Sequence, residues 1–148
     1  EVSELVNKAV REFKRQSGER VEVWILQEQP VYIIVNPLEF ELVIINLLRN
    51  AAQALQELGV LNSKVALTIK REDNKALIAI EDNGHIEKEK IEKLSEPTNS
   101  TKADGLGLGL QIVRSIIENH GGKIFFSRAA SGGLRVEIRL PAEETTEQ

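Results

Sequence analysis

The chain has 148 residues, 41% apolar and 28% charged, with a formal net charge of −4 at pH 7; this is globular composition and excludes collagen-like, low-complexity and wholly disordered classes. With no Cys and two His, disulfide scaffolds, thiolate metal sites and cysteine nucleophiles are excluded, and a histidine-rich zinc site is disfavoured. The acidic balance speaks against a broad nucleic-acid-binding face, and the lack of a signal peptide or a membrane-length apolar run points to a cytoplasmic piece of a parent that is either membrane-bound or soluble.

Val2, Leu5, Val6, Ala9, Val10 and Phe13 recur at spacings of three and four and predict a first helix, ended by Gln16-Ser17-Gly18-Glu19. Val21, Val23 and Ile25 alternate with Glu22 and Trp24 as a strand does. After a turn at residues 27–30, Val31 to Val35 is expected to return beside it as a hairpin. Asn36-Pro37-Leu38-Glu39 starts a helix: Asn caps, Pro suits the first helical position, and Glu39 is placed to complete a capping box. That helix runs to Leu58 and stops at Gly59.

Val65, Leu67 and Ile69, then a turn over residues 72–75, then Ala76 to Ile80 predict a second hairpin. Residues 82–104 are polar and broken, with one short helix at 88–94; a loop this long in a compact domain is functional or mobile. Leu110 to Asn119 is helical and ends at His120-Gly121-Gly122. Residues 124–127 and 134–140 form a third hairpin around Ser131-Gly132-Gly133. Paired strands alternating with helices predict a two-layer α/β sandwich: a mixed, mostly antiparallel sheet of five to six strands with about three helices on one face. The chain, which contains no Met, reads as one domain, residues 1–148, of a longer protein.

Three segments carry chemistry. On the otherwise apolar helix, Asn46, Arg49, Asn50 and Gln53 gather on one stripe at 100° per residue. A solvated face would more naturally carry Lys, Glu or Gln, whereas an Asn amide can ligate Mg²⁺ and donate to phosphate. Asp82 continues the face of Ile78 and Ile80; it either opens an Asp-Asn-Gly turn or is a buried acceptor for a ligand amino group, with Gly84 allowing close approach. Gly105-Leu106-Gly107-Leu108-Gly109-Leu110 lies at the mouth of a helix, where backbone N–H groups and the helix dipole bind phosphate. Thr101 and Lys102 stand just upstream, within reach of phosphate oxygens.

The order of these segments, NLLRNAAQAL at 46–55, EDNG at 81–84, EPTNSTK at 96–102 and GLGLGLQIVRSIIENHGGKI at 105–124, resembles the catalytic ATP-binding domain of sensor histidine kinases, which share the Bergerat fold with gyrase, Hsp90-type and MutL-type ATPases. The resemblance implies that Asn50 ligates Mg²⁺, that Asp82 bonds the adenine amino group, and that Gly105, Gly107 and Gly109 hold the phosphates. It counts Asn46 and Lys102 with Asn50 as catalytic. Arg49, Gly84, Ile86, Thr101, Leu106 and Leu108 complete the expected nucleotide-binding set, and residues 86–109 become an ATP lid. In the related ATPases a hydrolytic Glu stands where this chain has Asn46. The chain departs from the usual Asp-x-Gly-x-Gly, with His85-Ile86 after Gly84, and carries Leu134 where the family often has Ser or Thr.

The expected function is that of a protein histidine kinase's ATP-binding part. It would bind ATP and Mg²⁺ and donate the γ-phosphoryl to a histidine on a separate dimerisation and phosphoacceptor domain of the same, homodimeric parent. A response-regulator receiver domain would follow in a two-component phosphorelay, with no nucleic-acid partner. A Bergerat-fold ATPase and a Ser/Thr kinase on the same fold are the alternatives.

Overall fold

The central helix decides the architecture. In the computed structural model, which describes residues 1–17, 20–96 and 107–144, Pro37–Leu58 (α2) buries Phe40, Val43, Ile44, Leu47, Leu48 and Leu55 along one broad face. The Asn36 Oδ1 accepts from the N–H groups of Leu38 and Glu39 at 3.0 and 3.1 Å, and Gly59, left-handed at φ 67°, closes the other end. The expected capping box does not form. The N–H of Asn36 instead goes to the His120 Nε2, 3.2 Å away, so a ring distant in sequence does what Glu39 was placed to do.

The remaining elements are α1 (Val2–Ser17), β1 (Glu22–Gln27), β2 (Lys64–Glu72), β3 (Lys75–Asp82), α3 (Lys88–Ser95), α4 (Gly107–Asn119), β4 (Lys123–Arg128) and β5 (Leu134–Pro141). They build a five-stranded sheet in the order β1-β2-β3-β5-β4. The strand pairs are antiparallel except β1 and β2, which run parallel. Helices α1, α2 and α4 meet the face formed by Val65, Leu67, Ile69, Ile78, Ile80, Val136, Ile138 and Leu140, which together with them forms the core. The opposite face carries a charge ladder, in which Arg135 pairs with Glu81 and, at 3.1 Å, with Glu137, which Arg139 also meets at 2.7 Å. The two-layer mixed sandwich is therefore as expected, with five strands.

The first hairpin is a correction. Residues 31–35 form no strand; Val31 accepts from the N–H of Val2 at 2.8 Å, and Tyr32 from that of Glu143 at 2.7 Å. Parallel strands need a long crossover, and residues 28–36 begin the return path that α2 completes, so β1 pairs with β2 rather than with its sequence neighbour. Helix α4 also starts earlier than expected, taking in Gly107 and Gly109. No described helix is long and apolar enough to cross a membrane.

Candidate functional site

Strand β3 continues through Asp82, so the carboxylate follows Ile78 and Ile80 onto the helix-covered side instead of opening a solvated turn. It is 7% exposed and is the one buried charged side chain among the described residues. Its Oδ1 accepts the N–H of Gly84 at 2.9 Å and that of Leu134 at 3.4 Å. Burial pushes its pKa up, and those two N–H groups pull part of the way back. Among the described residues Oδ2 has no hydrogen-bond partner.

The chain folds tightly around this carboxylate. A side chain at Gly133 would collide with the Asp82 carbonyl and carboxylate oxygens. One at Gly84 would press on Asp82 Oδ1, Leu55 and Leu58 at 3.1–3.2 Å. The β4–β5 hairpin grips the segment after β3: Ser131 Oγ donates to the Asp82 carbonyl at 3.1 Å, Ile86 N–H to Gly132 at 3.1 Å, and Arg128 to the Ile86 carbonyl at 2.9 Å. In sequence, Ser131-Gly132-Gly133 signals only a turn. The surplus second glycine was the signal that something else needs the space.

Across from Asp82 lies Asn50. Its Nδ2 is buried without a hydrogen-bond partner among the described residues, a costly state for an amide unless a ligand completes it. A Cβ built on Gly109 would lie 4.0 Å from its Oδ1, so the first turn of α4 passes beside this amide. Between them runs a cleft lined by Leu47, Asn50, Ala54, Asp82, Ile86, Lys90, Leu110 and Leu134, among others. Its cavity measures about 50 Å³, below the roughly 300–1,000 Å³ of small-molecule pockets.

The expected stripe on α2 divides. Asn50 lines the cleft, Asn46 is half-buried, and Arg49 is exposed and donates to Gln16 of α1. Gln53 donates to Glu57 at 3.2 Å. Arg49 thus turns away from the cleft because α1 packs on that flank of the helix. Ile86 is buried and lines the cleft, and Gly84 adjoins it through Asp82. The backbone of Gly107, Leu108 and Gly109 forms the start of α4, where N–H groups lack intrahelical partners. Thr101, Lys102, Gly105 and Leu106 lie outside the described residues, as does the lid between Glu96 and Gly107. The part of that span at Lys88–Ser95 is helical. Lys90 was missed. His85 is exposed against Glu87, 3.0 Å away.

Among the described residues no group of three or more His, Asp or Glu side chains could hold a metal. Within the cleft, among the described residues, Asn50 offers a neutral oxygen beside the start of α4. That suits Mg²⁺, which is held largely by phosphates and water with one or two protein oxygens.

Residues 35–144 match the family model of histidine kinase-, DNA gyrase B- and HSP90-like ATPases. The chain is 38% identical over 109 residues to the sensor protein TdiS of Thauera aromatica, covering 70% of this chain and 20% of TdiS. It is 38% identical over 101 residues to sporulation kinase B of Bacillus subtilis (strain 168), covering 68% and 23%. It thus spans about a fifth of the length of these curated relatives. The catalytic domain of histidine kinase ThkA, in a nucleotide-free form, superposes with a TM-score of 0.77 at 27% identity, over 94% of this chain and 91% of that one. The mycobacterial sensor histidine kinase MprB shares the fold, with a TM-score of 0.78 at 21% identity over 97% of both chains. The chain belongs to the family of histidine kinase-, DNA gyrase B- and HSP90-like ATPases, among the catalytic ATP-binding domains of histidine kinases.

Proposed function

We propose that this domain binds Mg²⁺-ATP in the cleft between α2, β3 and α4 and gives the γ-phosphoryl to a histidine on a separate domain of its parent. The observation that carries the reading is the pair of unsatisfied groups facing one cleft: the orphaned Asn50 amide and the desolvated Asp82 carboxylate. Asp82 Oδ2 accepts the exocyclic amino group of adenine, and Leu47, Ile80 and Val136 supply the apolar bed for the ring. Asn50 Oδ1 serves the metal and its Nδ2 a phosphate oxygen. The N–H groups at Gly105, Gly107 and Gly109, with Thr101 and Lys102, take the remaining phosphate charge. Mg²⁺ held at the Asn50 Oδ1 would supply charge neutralisation for the phosphates. Admission of the nucleotide draws Ile86, Lys90 and Leu110 outward from the narrow cavity.

Transfer breaks the bond between the γ-phosphorus and the bridging oxygen, leaving ADP, and forms a P–N bond to the acceptor imidazole, whose proton passes to solvent. Asn46 has no carboxylate to deprotonate a water, which supports transfer over hydrolysis. The acceptor sits on the dimerisation domain of a homodimeric parent, with a receiver domain downstream; residues 1–148 act in the cytoplasm as a single catalytic ATP-binding domain of that parent.

Titration with ATP and GTP tests the site. ATP binds and GTP binds poorly, because guanine puts a carbonyl where Asp82 needs a donor. Equal affinities overturn the adenine role. Mixing the domain, ATP and the parent's acceptor domain yields an acid-labile, base-stable phosphoprotein. Steady phosphate release without it points to the ATPase, and an acid-stable product to the Ser/Thr kinase.

A further inference from the structure

Helix α3 reads KEKIEKLS, a charged segment that on sequence alone is a solvated face. Its residues are not equivalent in the fold. Lys88, Glu89, Glu92 and Lys93 are exposed, while Lys90, Ile91 and Leu94 turn inward and are half-buried. Lys90 lines the same cleft as Asn50 and Asp82 and is the one cationic residue among its described lining. It stands in the first turn of α3, where the helix dipole disfavours a cation. It forms no ion pair with any described carboxylate. Partial burial, an adverse dipole and no described carboxylate partner make this an unfavourable place for an ammonium group in the free protein. A residue that breaks local preference in this way belongs at a functional site.

We propose that Lys90 is a further nucleotide-binding residue, which neutralises the polyphosphate of the bound nucleotide from the α3 side of the cleft. The inference rests on the nucleotide reading of the cleft and deepens it. Asp82 and the apolar bed recognise a base and carry no positive charge, and Asn50 is neutral. A polyphosphate entering this cleft brings several negative charges, and among the described residues Lys90 is the side chain in the lining able to oppose them. A flexible four-carbon stem lets the ammonium follow the phosphates as α3 moves outward. The contact is made by ATP and ADP alike and is absent for adenosine.

The test is equilibrium titration of wild type, Lys90→Gln and Lys90→Arg with ATP, ADP and adenosine at low and at physiological salt. Lys90→Gln is expected to weaken ATP and ADP about tenfold at low salt, to leave adenosine unchanged, and to show a smaller loss as salt screens the charge. Lys90→Arg keeps near wild-type affinity. Equal losses for ATP and adenosine would make Lys90 a packing residue, and unchanged ATP affinity would make it a solvated lysine; either overturns the inference while leaving the cleft's function standing. A wild type that binds neither ATP nor adenosine overturns the nucleotide reading itself.

Discussion

The two ends of the central sheet are built alike and finished differently. At the end near Pro141, His120 uses both ring nitrogens: Nε2 accepts from Asn36 N–H, and Nδ1 donates to the Ile116 carbonyl at 2.7 Å. Asn36 in turn completes the start of α2. Gly122 packs against the Arg139 carbonyl and the Leu140 side chain. At the end near Asp82, Gly133 packs just as closely against backbone and carboxylate. Yet the Asn50 amide is left unpaired and the Asp82 charge desolvated. One end closes its hydrogen bonds within the protein. Among the described residues the other leaves Asn50 and Asp82 open toward a ligand, beside backbone packed just as closely at Gly133.

Replacing the glycines separates packing from function. Gly133→Ala and Gly122→Ala each force a methyl group into backbone, and each is expected to lower stability by about 1–3 kcal/mol or more in urea melts. Only Gly133→Ala also abolishes ATP binding by the protein that remains folded, because the atoms displaced are those of Asp82. Loss of binding in both variants would mean that the two ends are one cooperative unit.

Asp82→Asn keeps an oxygen for the Gly84 and Leu134 N–H groups but can present an amide nitrogen to adenine. ATP affinity should fall by about 1.5–3 kcal/mol in calorimetric titration. The free protein should lose no stability at pH 7, and the pH dependence fixes the reason. The folded pKa of Asp82 lies above its unfolded value, so the unfolded chain releases this proton first. Wild-type stability therefore falls as pH rises through the window from the ordinary Asp range up to the raised folded value, and stays lowered above it. Asp82→Asn lacks that loss, so the variant gains on wild type across the same window in melts at stepped pH. A constant gap would show that the carboxylate is not desolvated in solution.

Asn50→Ala removes an unsatisfied amide and should change apo stability little. It should weaken Mg²⁺-ATP more than metal-free nucleotide in paired titrations with and without the metal. Equal losses would make Asn50 a packing residue. The smallest effect is expected at Arg49, the sequence candidate that the fold turned toward Gln16. Arg49→Met should alter stability by no more than about 0.5 kcal/mol and leave ATP affinity unchanged. A clear loss would return the guanidinium to the cleft.

The period-two pattern of β3 was enough to place Asp82 on the core side, because a strand that keeps its pleat gives its side chains no choice of face. The cap at Asn36, the stop at Gly59, the β2–β3 and β4–β5 hairpins and the helical segment at 88–94 were equally legible. Each is set by residues a few positions apart. What failed was decided over longer spans. The partner of β1 is β2, reached only through α2. Glu39 lost its place in the capping box to His120, 84 positions from Asn36.

The same division holds in the site. By itself the sequence determined which helix carries amides, which strand ends in a carboxylate, and which helix begins in glycines, since periodicity and local turn chemistry fix those. The tertiary structure alone decided that Asn50 and not Arg49 faces the cleft, that Gly133 makes room for Asp82, and that Lys90 joins them. A helix stripe is only about as wide as one residue's step of rotation, so the neighbour packed on each flank determines which side chain meets the ligand.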